Sequence, residues 1–323
     1  MKRSIVTGGA GFIGSALVRR LIAEGQQVEI IDDLSTGSVR NLEEVADSVV
    51  LHRADIREYG TIAPLMQGAD LVFHLGALPS VPKSILDPVP SHQVNIDGTF
   101  NVLRAAAHAK VRRVIYAASS SAYGDTEVLP KVETMAPRPK SPYAIQKLMG
   151  EYYASIFPDC FGLETVSLRF FNVYGPRQDP SSVYSGVLSI FLSCLIDRRS
   201  PTIYGDGEQS RDFTYVEDVV SILLKAATAP GVSGKVYNAG NGKRYTLNET
   251  WALLQQIEGV NLPAVYGPPR VGDVRHSQAD TTAAVRDLAH SPKFSLEEGL
   301  RRTLEWYRRD RVSRQPASAT LKA

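Results

Sequence analysis

Short β-branched runs alternate with stretches of helical spacing through the first half of the chain. Ser4-Ile5-Val6-Thr7 reads as a strand and leads into a glycine-rich turn. Over 15–24 the apolar positions Leu17, Val18, Leu21 and Ile22 keep helical spacing, and Gly25 stops the helix. Val28-Glu29-Ile30-Ile31 is the next strand and ends at Asp32-Asp33. The alternation continues with a strand at 49–51, a helix near 62–66 and a strand at 71–75. A helix over about 95–108 then precedes a strand at 114–117, and a helix from residue 142 precedes a strand at 165–170. Strands separated by helices at this spacing predict an α/β fold with a parallel, doubly wound sheet.

After Asn172 the pattern changes. The segment 175–180 is loop, 187–196 is helical, and 203–207 suggests a short strand and turn. The segments 213–216 and 236–238 are expected to return to the sheet, and 247–257 is a helix. The chain therefore divides into residues 1–171, with returns near 212–240, and a smaller, interleaved α/β part over 172–323.

Composition narrows the class. Of 323 residues, 43% are hydrophobic and 22% charged, which is ordinary for a globular protein. A net charge of +2 makes no case for a nucleic-acid partner. Cys160 and Cys194 are too few for a disulfide framework and are expected to be buried thiols. The histidines lack metal-ligand spacing, so no metal is expected. No apolar run reaches the roughly 18–20 residues of a membrane span, and Met1-Lys2-Arg3 does not read as a signal peptide. A cytoplasmic location is the expectation.

The chemistry gathers at two places. Glycines fall at 8, 11 and 14, between a strand and a helix, and the second strand ends in acid. That is a complete Rossmann-type dinucleotide unit. Gly8 permits the tight turn, Gly11 lets backbone approach a pyrophosphate, and Gly14 allows close helix–strand packing, with Phe12 and Ile13 in the same loop. Asp32 is expected to bind the adenosine ribose hydroxyls and to favour NAD over NADP; Asp33 is the alternative one residue on. The second place is Ser141-Pro142-Tyr143-Ala144-Ile145-Gln146-Lys147. Ser141 caps a helix, Pro142 suits its first position, and Tyr143 and Lys147 share a face. An ammonium beside a phenol favours the phenolate, so Lys147 is expected to pull the Tyr143 pKa down from about 10. The pair then offers a base for a hydroxyl.

The glycine loop together with Tyr143-x-x-x-Lys147 resembles the extended short-chain dehydrogenase/reductase superfamily. Ser119-Ser120-Ser121-Ala122-Tyr123-Gly124-Asp125, Arg169-Phe170-Phe171-Asn172 and Arg211-Asp212-Phe213 sharpen it to the NAD-dependent nucleotide-sugar 4-epimerases. The stretches 80–85, 129–133 and 272–280 are similar to the UDP-N-acetylhexosamine members. The resemblance implies that Tyr143 takes the proton from the sugar O4 while C4 gives hydride to the nicotinamide. Ser119 relays the proton, Lys147 binds the nicotinamide ribose, and the 4-keto sugar turns over before hydride returns. It also implies that Asp55 and Ile56 meet the adenine and that Leu75, Gly76 and Ala77 line the cofactor cleft. Asn95 is expected beside the nicotinamide, with a helix cap as its plainer role. Asn172, Arg211 and Arg270 should hold the UDP diphosphate, and Gly186, Val187, Phe191 and Tyr204 should pack uracil and ribose. Ser80, Ser120, Asp273 and Ser277 are expected on the sugar side, with His276 at the rim. A homodimer is expected through helices near 97–108 and 142–157. UDP-glucose and UDP-glucuronate 4-epimerases share the Ser119, Tyr143 and Lys147 set and stay open, although those restricted to UDP-glucose carry a bulky tyrosine where this chain has Ser277. An NAD-sensing scaffold without catalysis is the alternative from another class. Sugar 4,6-dehydratases and uronate decarboxylases carry acids where this chain has Ser120-Ser121.

Overall fold

The computed structural model describes residues 2–179, 186–269 and 274–314, the last three by backbone alone. The chain begins with β1 (Arg3–Thr7), α1 (Phe12–Ala23), β2 (Gln27–Asp32), β3 (Val49–Arg53), α2 (Tyr59–Ile62) and β4 (Leu71–His74). Next come α3 (Val81–Leu86), α4 (Pro88–His92), α5 (Thr99–His108), β5 (Arg113–Ser119), α6 (Pro142–Phe161) and β6 (Glu164–Phe170). The smaller part adds β7 (Asn172–Tyr174), α7 (Val187–Ile196), β8 (Thr202–Tyr204), β9 (Ser210–Arg211), β10 (Phe213–Tyr215) and α8 (Val216–Thr228). It ends with β11 (Lys235–Ala239), β12 (Tyr245–Thr246), α9 (Leu247–Glu258), β13 (Val265–Gly267), α10 (Thr282–Leu288) and α11 (Leu296–Arg314).

Seven parallel strands form the main sheet in the order β11-β6-β5-β4-β1-β2-β3. Helices cover both faces, which is why strands such as β1 and β5 read as continuous apolar runs. Strand order reverses between β4 and β1. Ligands of open α/β sheets bind at such a switch point, outside the carboxyl ends of the strands. Those ends here carry Thr7, Asp32, His74, Ser119 and Phe170.

Three expectations need correction. The segment around 213–216 does not rejoin the main sheet: β10 pairs with β7 in a separate two-stranded ribbon. Only β11, the other expected return, adds to the sheet, along β6. Apolar alternation specifies a buried face and not which strand lies alongside. The helix expected over 95–108 opens as a π-helical turn, Gln93–Gly98, and becomes α-helical only at Thr99. A second core, around Tyr174, Leu192, Phe213, Tyr215, Trp251 and Leu300, holds the smaller part together. Cys194 is buried, but Cys160 is exposed near the end of α6.

Candidate active site

The cofactor half of the site follows from the turn between β1 and α1. Gly8 has φ of +70°, and a Cβ on it would stand 2.7 Å from the Gly76 nitrogen. A Cβ on Gly14 would come 2.1 Å from the Gly8 carbonyl oxygen. Only glycine allows both approaches. Gly11 precedes α1 without a side-chain cap, so the first N–H groups of that helix remain available to a phosphate. Asp32, at the end of β2, accepts hydrogen bonds from the Ala10 and Leu34 nitrogens, both 2.9 Å. Burial pushes its carboxyl up, and those two donors oppose the shift. Asp33 accepts from the Ser35 nitrogen and hydroxyl on one of its oxygens, at 2.9 and 2.6 Å. Asp32 and Asp33 both line the cleft, as do Phe12, Ile13, Asp55, Ile56, Leu75, Gly76 and Ala77. Asp55 is gripped by Arg57, which holds its carboxyl below the usual range. A glycine cradle, free helix N–H groups and a buried acid at the strand end fit a dinucleotide.

The reactive half lies at the ends of β5 and α6. Ser141 caps α6, accepting from the Ala144 nitrogen at 3.2 Å, and Pro142 follows as expected. The Tyr143 N–H donates to the Ser84 hydroxyl at 3.1 Å, and that hydroxyl donates to the Val81 carbonyl at 2.8 Å. Ser84 thus pins the first turn of α6 to α3. The Ser119 oxygen accepts from the Ser121 nitrogen and hydroxyl, at 3.2 and 2.8 Å. The Ser119 hydroxyl and the Tyr143 phenol both line the cleft. Electrostatics depart from the sequence expectation. Burial pushes the Tyr143 phenol up, with the Ser119 hydroxyl opposing the shift, and Lys147 does not pull it down. Lys147 itself is pushed down to about 7 by burial. A desolvated site favours the neutral form of both groups.

These halves share one continuous cleft of about 1470 Å³. That exceeds the about 300–1,000 Å³ of a usual small-ligand pocket and leaves room for a second ligand beside a dinucleotide. Ser80, Ser119, Ser120, Tyr143, Lys147, Asn172, Gly186, Arg211, His276 and Ser277 are on its wall. The Ser80 hydroxyl caps α3 through the Lys83 nitrogen, and His276 is held by Ser210 at 2.9 Å. Asp212 never reaches the cleft; buried, it accepts from the Asn241, Gly242 and Ala279 nitrogens and so anchors the loop that carries Ser277.

Two expected contacts, Asn95 and Phe191, are displaced, and two more, Val187 and Tyr204, do not fall on the described cleft wall. Asn95 is fully buried, and its amide is spent on the Leu78 backbone and Gln146, so it braces the loop after β4 instead of touching cofactor. It is not a helix cap either. Phe191 is fully buried with its ring 5.3 Å from Trp251, so it packs the second core and offers no stacking face. Val187 packs against the same core, and Tyr204 stands on β8, outside the described cleft wall. Arg270 and Asp273 lie outside the described residues. Sequence reasoning passed over Ser84, and also Arg177, which lines the cleft and pairs with Glu44 across it at 2.7 Å. A loop arginine carries no periodic signal by which to find it.

Comparison with known proteins decides the family. The model for the NAD dependent epimerase/dehydratase family matches residues 4–240. The chain belongs to this family. NAD is accordingly its cofactor, in agreement with the glycine cradle and Asp32. A UDP-glucose 4-epimerase of Mycolicibacterium smegmatis is 38% identical over 310 residues, covering 95% of this chain and 98% of the relative. The solved UDP-N-acetylglucosamine 4-epimerase of Methanobrevibacter ruminantium, in complex with UDP-N-acetylmuramic acid, superposes with a TM-score of 0.91. It is 36% identical, over 96% of this chain and 99% of that one. The UDP-glucose 4-epimerase of Thermotoga maritima, with UDP-glucose, gives the same TM-score at 38% identity, over 95% and 99%.

Proposed function

We propose that this protein is a UDP-sugar 4-epimerase whose main pair is UDP-GlcNAc and UDP-GalNAc. One observation carries the reading: Ser119, Tyr143 and Lys147 meet in the cleft with no carboxylate beside them among the described residues. Among the described lining residues the acids are Asp32, Asp33, Glu43, Glu44, Asp55, Asp179 and Asp310, and the positions after Ser119 are serines. Dehydration or decarboxylation chemistry would need an acid or base there to work on C5 or C6. A hydroxyl, a phenol and an amine suffice to move one proton at O4.

Tyr143 takes the O4 proton, with Ser119 bridging phenol and sugar, and Lys147 offers its ammonium to the same end of the site. Bound NAD supplies the reversible hydride acceptor for C4, and its positive charge favours the phenolate that burial alone disfavours. The same Tyr143 proton returns to O4 after the keto sugar has presented its other face. Arg211 and Asn172, which line the wall, would take the diphosphate, since guanidinium donors match phosphate oxygens. The acetylated pair is favoured because Ser277, on the same wall, is small.

The test is incubation of the purified protein with UDP-GlcNAc and, separately, UDP-glucose, followed by product separation. We expect the C4 epimer of each, faster for UDP-GlcNAc. Tyr143→Phe should keep its NAD and lose on the order of 10²–10⁴ in turnover. A variant within a few fold of wild type would remove Tyr143 from the mechanism.

A further inference from the structure

Lys147 lies against a ring instead of an acid. Its Nζ is 4.7 Å from the centroid of Tyr116, a fully buried residue on β5 three positions before Ser119. The Tyr116 hydroxyl donates to the Lys147 carbonyl oxygen at 3.2 Å. Helix α6 can lie this close because residue 150 is glycine: a Cβ there would stand 2.3 Å from the Tyr116 hydroxyl oxygen. Behind the ring, His74 of β4 packs at 5.6 Å between centroids and 31° between planes. Its imidazole is fixed by the Thr7 and Thr99 hydroxyls at 2.7 and 3.0 Å, and Thr7 also accepts from the Gly76 nitrogen at 3.1 Å. The ring is thereby braced by the same strand end that carries the glycine loop.

The surrounding groups leave Lys147 no counter-ion. On α6 itself, Tyr143 is held as a phenol by burial, and Glu151 is consumed by Arg169 of β6, at 2.5 and 2.9 Å. From β4, His74 is neutral, its pKa pushed down to about 3 by burial. From β5 and α5 come only the hydroxyls of Ser119 and Thr99. Among the described residues no carboxylate pairs with Lys147. The negative face of an aromatic ring attracts an ammonium most strongly where water is excluded.

We propose that Tyr116 is a positioning residue that holds the Lys147 ammonium in the active site through the face of its ring. This deepens the functional reading above and rests on Lys147 belonging to the catalytic pair. The hydroxyl of Tyr116 fixes backbone; the ring holds charge. Replacing the tyrosine by phenylalanine, and then by phenylalanines bearing one, two and three ring fluorines, drains the ring face while nearly preserving its shape.

Cofactor-bearing protein carrying ¹³Cε-lysine is titrated by NMR, with the Lys147 signal assigned by its loss in Lys147→Met. We expect Tyr116→Phe to leave the Lys147 midpoint within a few tenths of a pH unit. Successive fluorines should lower it stepwise, by about one pH unit at three. KM for the UDP-sugar should hold while the alkaline limb of kcat moves down with the titration. A midpoint indifferent to fluorination would overturn the proposal, because packing alone does not follow ring charge. Failure of Tyr116→Phe to fold would also overturn it, by placing the essential contribution in the hydroxyl. Undiminished turnover in Lys147→Met would instead refute the catalytic pair, while the fluorine trend at Lys147 would still be readable.

Discussion

We expect Ser277 and Tyr143 to make separable demands on the substrate, one on which sugar enters and the other on what happens to it. Ser277 is on the cleft wall, its nitrogen bonded to the Ser210 carbonyl at 3.0 Å and its loop anchored by Asp212. We expect Ser277→Tyr to cut kcat/KM for UDP-GlcNAc by at least about 10–200-fold through overlap with the acetamido group. UDP-glucose should stay within a few fold. Equal losses on both would assign the residue to folding or general catalysis. Residues of this kind were legible because the motif carries their chemistry: the glycines, Asp32, Ser119, Tyr143, Lys147 and Ser277 all reach the cleft. Asn95 and Phe191 were not. A buried amide that braces a loop and a ring that fills a core look, in sequence, like a polar ligand and a stacking platform. The Tyr143 pKa was misjudged for a related reason. Desolvation depends on what the fold stacks over a group, and no spacing in the sequence reports that.

At the scale of elements, the strand ends are tied together by polar contacts that hydrophobic pattern cannot show. His74 joins β4 to β1 through Thr7 and to α5 through Thr99, and burial lowers its pKa to about 3. The unfolded chain binds a proton at this imidazole below about pH 6.5, whereas the folded chain does not. Stability should therefore fall as pH drops from about 6.5 towards about 3, by about 1.4 kcal/mol per pH unit from this group. Substituting His74→Gln should flatten the dependence by that amount, as read by urea unfolding at pH 7 and pH 5. Parallel curves for the two proteins would show that His74 does not titrate on unfolding. The helices α6 and α9 were read correctly because periodicity and caps agree in them, and α7 because its apolar run is long enough without a cap. The π-helical turn and the β7–β10 ribbon escaped because both are set by tertiary partners.

For the whole molecule, the sheet order and its switch point bring cofactor and substrate sides into one cleft, and one outer face is left apolar. Ile145, Met149, Tyr152 and Ile156 recur at helical spacing on α6 and are between 36% and 50% exposed, with Phe100 of α5 at 37%. Continuous apolar exposure of this kind marks an interface, and we expect two copies to pair there. Ile156→Arg with Met149→Glu should shift sedimentation from dimer to monomer; an unchanged profile, or a wild-type monomer, would place no interface on this face. The reaction expected of this cleft is inversion at C4 with nothing else in the sugar disturbed. Its most direct test is proton NMR of UDP-GlcNAc incubated with the protein in D₂O and no added cofactor. We expect UDP-GalNAc to grow in with undiminished proton signals at both C4 and C5, because the hydride leaves and returns within the cleft. Deuterium at C5, loss of water or carbon dioxide from the sugar, or an unchanged substrate would contradict it.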